Sequence, residues 1–371
     1  MNQIAIAKNN LKTIQVLAPA RICLFGDHQD YLGLPVIACA INRQIILIGE
    51  PNTTKEFIFN LPDINSKRSF SIYENFENLR AGDFFASALR RLRKYGCIPN
   101  MGYSITIQGN IPVNAGVSSS SAIVVAWVHF LLKTFGCDRE ITSEFISQLA
   151  YEAEVLEHHS PGGKMDQYTI GIGNIVFIET GDCFNYELIG ETLDGMVLGE
   201  SGIEKDTIGL LGSSKTNAIK AIQIIQDKEA NFVLEKASIK DYENYKTLLP
   251  DALKPYFYAA IQNHTITQKA LRVLKDKTLN YPLIGDLINQ HHRILRDDLK
   301  LTVPKIDAMI DAAIDAGAYG AKIIGSGGGG CIVALCPSHL QDKISIAIKK
   351  AGAKDAYPVC VAKGTEMIID A

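Results

Sequence analysis

Four serines in a row, Ser118 to Ser121, stand where the loop "NIPVNAGV" hands over to the apolar run "AIVVAWVHFLL". A helix beginning there would offer free backbone N–H groups and the positive end of its dipole. Small residues let a phosphate approach those groups closely. The hydroxyls of Ser118, Ser119, Ser120 and Ser121 could bond phosphate oxygens or a metal ion, and Gly116 supplies backbone freedom ahead of them. The same serines would equally serve as ordinary helix caps. The stretch is not a Walker A loop, which needs Gly-Lys-Ser/Thr.

Two further clusters and two acids invite chemistry. "GSGGGG", Gly325 to Gly330, lies between the apolar runs "AKII" and "CIVALC". Five glycines in six residues suit a backbone that another group must approach, or a flexible hairpin connection. "RICLFGDHQDYLG" crowds Arg21, Asp27, His28, Asp30 and Tyr31 into a short turn between apolar runs. Such a mixture of donors and acceptors suits a polyol; a solvated loop is the alternative. Asp166 follows two glycines in "GGKMDQY", and Glu154 lies upstream on a helical segment.

The elements that must position these groups can be read from periodicity. "IQVLAPARICLFG" and "PVIACAINRQIILIGEP" read as buried strands, the second as one or two ending at Pro51, and "RSFSIY" alternates as a half-exposed strand. "DFFASALRRLRKYG" predicts a helix closed by Gly96, and "YSITIQGNIP" another strand. The segment after the serines predicts a largely buried helix. Residues 142–158 predict an amphipathic helix with Thr142 as N-cap, followed by the loop "HSPGGKMDQ" and the strand "GNIVFIET". The second half reads as helices around 217–236, 240–276, 281–297 and 303–316. Its clear strands are "AKIIG", "CIVALC" and "AYPVCVA".

A chain of 371 residues exceeds one typical core, and two domains are expected, 1–190 and 191–371. Composition is that of a soluble globular protein, 47% hydrophobic and 21% charged. The net charge of −3 implies no general attraction to nucleic acid or anionic membrane. No apolar run approaches the roughly 20 residues that span a bilayer, and "MNQIAIAKNNLKT" lacks the apolar core of a signal peptide. Eight scattered cysteines, none in a CxxC pair, point to a reducing cytoplasm.

Taken together, these stretches resemble the GHMP small-molecule kinases, and within them the galactokinases. "APARICLFGDHQDYLG" is similar to the galactokinase signature A-P-G-R-[VI]-N-L-I-G-E-H-T-D-Y-x-G, and "PVNAGVSSSSA" to the family's phosphate loop P-x-G-x-G-L-S-S-S-A. "GGKMDQY" resembles G-I-M-D-Q-F. "HHRILRDDLKLTVPKIDAMIDAA" resembles H-x-S-L-R-D-D-[FL]-x-[VI]-S-x-P-E-[LI]-D. "GAYGAKIIGSGGGGCIVAL" resembles the third family motif, its four glycines nearer to mevalonate kinase. The similarity runs from about residue 18 to about residue 336, with five motifs in the family's order.

The resemblance implies an α+β, two-domain GHMP kinase fold: an N-terminal domain of ribosomal protein S5 domain 2-like type and a ferredoxin-like C-terminal domain. It implies ATP as co-substrate, Mg2+, a small-molecule sugar as acceptor, and a monomer or homodimer. Asp166 matches the catalytic aspartate and Arg21 the arginine beside it. Asn114, Ala115, Gly116, Val117 and Ser118 to Ser121 match the nucleotide loop, which Gly325, Gly327 and Gly328 would close. Ser120 and Glu154 match the metal ligands. Asp27, His28, Asp30 and Gly163 match the sugar-binding positions, Asp30 reading adjacent hydroxyls while Asp27 and His28 face the C6 end. The expected reaction is phosphorylation of a monosaccharide hydroxyl, the anomeric 1-OH of galactose or a related sugar.

The pattern breaks in places. Ala20 stands for glycine, Cys23 for asparagine, Asp27 for glutamate, Asn114 for glycine and Lys164 for an apolar residue. Lys164 could meet a carboxylate or phosphate on the acceptor. "LGESGIEKDTIGLLGSSK" lacks the tyrosine and paired arginines of galactokinases and looks more like mevalonate kinase. Uronic-acid or pentose 1-kinase, heptose-phosphate kinase and mevalonate kinase therefore stand as alternatives. A galactokinase-like sugar sensor is the non-enzymatic one, which the presence of Asp166, Arg21 and Glu154 opposes.

Overall fold

The computed structural model describes residues 13–181, 184–204 and 207–369. The first half contains strands β1 (Ile14–Phe25), β2 (Val36–Asn52), β3 (Glu56–Leu61) and β4 (Ser66–Ser71), then helix α1 (Phe84–Arg93) and strand β5 (Gly102–Gly109). Helices α2 (Ser119–Phe135), α3 (Ser143–Tyr151) and α4 (Met165–Ile172) follow, with strands β6 (Ile175–Glu179) and β7 (Asn185–Gly190). The second half runs β8 (Met196–Glu200), α5 (Gly212–Lys228), α6 (Ile239–Tyr245), α7 (Lys254–Leu274), α8 (Tyr281–Arg293) and α9 (Pro304–Asp315). It ends with β9 (Gly320–Ile323), β10 (Cys331–Leu335), α10 (Gln341–Lys350), β11 (Asp355–Val359) and β12 (Glu366–Ile369).

The strands form two sheets. The larger has the order β12-β1-β2-β5-β3-β4, with β6 and β7 attached beside β2; every pairing is antiparallel except β3 with β5. β2 is one strand of 17 residues, and it runs through Pro51 rather than ending there. Its length lets it pair with β1 along one edge and with β6 and then β5 along the other. The smaller sheet is antiparallel, in the order β11-β8-β10-β9. Its strands alternate with helices in the sequence β8, helices, β9, β10, α10, β11, which is the ferredoxin-like arrangement expected.

Local sequence explains most elements. Asp83 caps α1 by accepting from the Ala86 amide, and Arg90, Arg91 and Arg93 lie in the last turn, where the dipole favours cations. Thr142 caps α3 as expected, accepting from the Phe145 amide at 3.1 Å. Helix α2 is buried along almost its whole length, and its Trp127 meets the rings of Phe57 and Phe59 edge-on, each at 5.0 Å. Those phenylalanines alternate along β3, a strand that the sequence reading did not contain. Also outside that reading were β7, β8, β12 and α10. The helix expected over 240–276 is two helices, α6 and α7, separated by short turns around Pro250.

The segment before β12 straps the first sheet. Asn174 donates to Ala362, Thr365 donates to Ile170, and Gly173 bridges Lys363. Gly173 ends α4 with φ +80°, and a Cβ there would lie 1.9 Å from the Gly364 nitrogen. Only glycine fits both demands. Gly173→Ala is therefore expected to lower stability by roughly 2–4 kcal/mol, from left-handed strain plus overpacking. A denaturant midpoint equal to that of the parent protein would contradict this.

Candidate active site

The site is built on β1, the loop before α2, the first turn of α4 and the turn after β1. Within β1 the pairing register with β2 shifts between Pro19 and Ala20 and again between Cys23 and Phe25. Such irregularities re-aim side chains, and Arg21 lies between them. Its guanidinium grips both oxygens of Asp166, Nε to Oδ1 at 2.7 Å and Nη2 to Oδ2 at 2.9 Å. The remaining nitrogen, Nη1, donates to the Gly116 carbonyl at 2.6 Å. Burial works against the charge of Arg21, but Asp166, joined by Cys23 and Asp27, outweighs it and raises the pKa above the ordinary arginine value. The side chain of Asp166 remains 27% exposed while that of Arg21 is 5% exposed, so the acid faces the open side of the pair.

Asp166 was expected in a loop leading to a strand. It sits instead in the first turn of α4, which fixes its backbone more firmly than a loop would. Ser118 donates its hydroxyl to Asp166 Oδ2 at 2.5 Å. Ser118 is the residue preceding α2, in left-handed backbone, and its side chain makes no capping bond to the helix. Its hydroxyl thus serves the acid rather than the first-turn amides of α2.

Asn114, Gly116 and Ser118 all have positive φ, at 54°, 82° and 64°. This winds the loop so that it packs against the glycine run. A Cβ on Gly116 would lie 2.9 Å from the Ile324 carbonyl, and one on Gly325 would lie 3.0 Å from the Gly116 carbonyl. Three of the glycine amides are already engaged: Gly325 donates to Asp27 Oδ1 at 2.9 Å, Gly328 to the Leu301 carbonyl at 2.9 Å and Gly330 to the Ile203 carbonyl at 2.8 Å. Gly325 and Gly328 therefore contribute closeness of backbone rather than donors; Gly327 is tight against Leu301.

Glu154 is buried and accepts from Gln167 Nε2 at 2.6 Å. Burial pushes its carboxyl pKa up, as does Asp166, while hydrogen bonds from Gln167, Ser121 and Ser120 oppose the shift. Glu154 is delivered by a widened turn, Glu152–Leu156, that continues α3 with five-residue spacing. Ser120 and Glu154, expected as metal ligands, are thus brought together. No group of three or more His, Cys, Asp or Glu among the described residues could hold a metal. The donors here are one carboxylate and hydroxyls, a hard oxygen set that fits Mg2+ completed by phosphate and water.

Asp30 and Gly163 also meet as expected, since a Cβ on Gly163 would lie 2.1 Å from Asp30 Oδ2. The Tyr31 amide donates to Asp30 Oδ1 at 3.0 Å. Burial, with help from the charge of Asp166, pushes the Asp30 carboxyl up to about 6. His28 is buried in left-handed backbone, its Nδ1 3.2 Å from the Tyr31 hydroxyl. Asp27, expected at the C6 end of a sugar, has both oxygens engaged by protein: Oδ1 by the Gly325 amide, Oδ2 by Lys322.

Lys322 and Gln167 escaped the sequence reading. Lys322 is fully buried on β9, and its lone charge within "GAKII" was the available signal. Lys215 on α5 was likewise missed; its Nζ donates to Pro161 at 3.1 Å, and its charge acts on Asp30. Lys164, read as a possible partner for a substrate anion, lies over the Phe184 ring at 4.1 Å and near Tyr151.

Comparison with known proteins places this geometry. The GHMP kinases N terminal domain matches residues 83–174, GHMP kinases C terminal matches 269–354, and the galactokinase galactose-binding signature matches 8–51. The chain belongs to the GHMP kinase family. It is a phosphotransferase with an alcohol group as acceptor, of a family that uses ATP. It is 28% identical to mevalonate kinase of Thermococcus sibiricus, over 90% of this chain and 92% of that protein. It is 27% identical to galactokinase of Haemophilus influenzae, over 95% of this chain and 94% of that one. Its fold matches Lactococcus lactis galactokinase complexed with galactose at a TM-score of 0.83 and 20% identity, covering 95% of both chains. No helix among the described residues is long and apolar enough to cross a membrane.

The position of Asp30 predicts a pH dependence. A carboxyl raised to about 6 is neutral below that pH and accepts hydroxyl hydrogens fully only above it. The kcat/KM for the acceptor should rise with pH through an inflection near 6, and Asp30→Asn should remove it; a flat profile between about pH 5 and 7 would contradict the assignment. For stability the sign is opposite. The fold holds this proton more tightly than the unfolded chain, so the contribution is fully present below about 4 and is lost as pH rises through about 6.

Proposed function

We propose that this GHMP kinase transfers the γ-phosphoryl group of ATP to a monosaccharide hydroxyl, the anomeric 1-OH of galactose or a related sugar. The observation that carries the reading is the placement of Asp30 and Gly163 beside the Arg21–Asp166 pair. Asp30, Arg21 and the whole polar turn fall within the residues matched by the galactose-binding signature.

Asp166 takes the proton of the acceptor hydroxyl as its oxygen bonds to the γ-phosphorus. The bond from that phosphorus to the β-phosphate oxygen breaks, and ADP leaves with the electron pair. Arg21 holds the carboxylate in one orientation and places a fixed positive charge beside the reacting oxygens. Ser118 fixes the second carboxylate oxygen. The loop from Asn114 to Ser121 receives the phosphates on its amides, and the glycine run lies over it without side chains in the way. Ser120 and Glu154 would hold Mg2+, which neutralises phosphate charge when bound.

A second reading rests on Lys215. It lies 5.9 Å from the Tyr31 ring and its charge is felt by Asp30; among the described residues it forms no ion pair. A cation at the acceptor end favours an acidic acceptor such as a uronic acid, a role that Lys164 in its aromatic setting does not fill.

Two experiments test these readings. Asp166→Asn should lower turnover by about 10²–10⁴-fold or more while nucleotide binding persists; near-parental turnover would remove Asp166 from the chemistry. A panel of sugars, uronic acids and mevalonate, scored by ADP release, should give the highest kcat/KM with galactose or a close relative. A uronic acid in first place would support the Lys215 reading, and turnover of mevalonate alone would contradict both.

A further inference from the structure

The ion pair between Asp27 and Lys322 joins residues 295 positions apart and is sealed from water, with side-chain exposures of 1% and 0%. Lys322 also donates to the Cys23 carbonyl at 2.9 Å, so one ammonium grips the end of β1 and the turn beyond it. The other oxygen of Asp27 accepts from the Gly325 amide, three residues along from Lys322, at 2.9 Å. Gly325 in turn packs on Gly116 of the nucleotide loop. An unbroken series of contacts therefore runs from Asp30, through the turn to Asp27, through Lys322 and Gly325, to the loop that holds phosphates.

Geometry separates this carboxylate from an acceptor. Asp27 is 2% exposed, and each of its oxygens has a protein donor. An aspartate is one methylene shorter than the glutamate of the resembling signature, and this chain has a cation beneath it to hold it back. A buried pair of this kind contributes little net stability, because desolvation offsets attraction, yet losing one partner strands a charge. Its strongest effect is to allow one relative placement of the two segments it joins.

We infer that Asp27 and Lys322 are positioning residues, a buried clamp fastening the acceptor turn to the glycine run so that acceptor and nucleotide sites form together. This rests on the kinase reading of the cleft and extends it: neither side chain touches the acceptor, and both act on both substrates.

A double-mutant cycle decides this. The variants are Asp27→Asn, Lys322→Met and their combination, with Asp30→Asn as the acceptor-contact reference. KM for the acceptor, nucleotide affinity by calorimetry with a non-hydrolysable ATP analogue, and thermal unfolding are measured on each. The clamp predicts that either single change weakens both substrates together, by about tenfold, and that the combination is no worse than the poorer single. Lys322→Met should lower the unfolding temperature by roughly 5 °C or more, and the combination should recover part of that loss. Asp30→Asn should weaken the acceptor alone. If Asp27→Asn weakens only the acceptor and its effect multiplies with that of Lys322→Met, Asp27 is a direct contact and the clamp is refuted. Absence of any phosphoryl transfer by the parent protein would defeat the kinase reading instead, leaving the unfolding data to judge the ion pair.

Discussion

The bidentate pairing of Arg21 with Asp166 is the interaction on which the site depends. It ties β1, the strand between β12 and β2 in the large sheet, to the first turn of α4, across 145 residues of sequence. Through Nη1 the same guanidinium holds the Gly116 carbonyl, and through its backbone Arg21 donates to Val117. One buried residue thus sets the relative positions of an acid, the serine loop and a strand. A charge this deep is tolerable only with its partner in place, so the fold cannot satisfy Arg21 without assembling the site.

The rest of the architecture keeps that arrangement in register. β2 is long enough to carry both β1 and β6, and β6 follows directly from the helix bearing Asp166. The strap before β12 closes over the end of α4. The widened turn after α3 swings Glu154 towards Gln167 and the serines, while Glu152 in the same turn pairs with Arg91 on α1. The smaller sheet presents Lys322 and the glycine run at one end, so its contribution to the cleft is a cation for Asp27 and a bare backbone for the loop.

The residues of the candidate site were more legible in the sequence than the elements that carry them. The serine and glycine runs that the fold packs against one another leave compositional marks, and so does the crowded turn from Arg21 to Gly33. Their order along the chain matched the family's, which supplied a fold that periodicity alone would not. The helix of Asp166 was not legible, because its eight residues begin inside a glycine-bearing stretch that reads as a loop. β12 was not legible either, since its register is set by β1 some 350 residues away. Asp27 shows the limit of position-by-position transfer: the carboxylate lies at the expected place in the turn, but its partner, Lys322, is defined only once two sheets are brought together. Lys164 shows the reverse, a charge that suggested an anion and proved to be placed over an aromatic ring.

The central claim is that Asp166, held by Arg21, receives the proton of the acceptor hydroxyl. A structure of the ternary complex with a sugar acceptor and a non-hydrolysable ATP analogue tests it most directly. The account predicts one acceptor hydroxyl within hydrogen-bond distance of the Asp166 carboxylate, about 2.6–3.2 Å, with the terminal phosphate on its far side. An acceptor whose nearest hydroxyl faces another base, with Asp166 in contact with neither ligand, would contradict it.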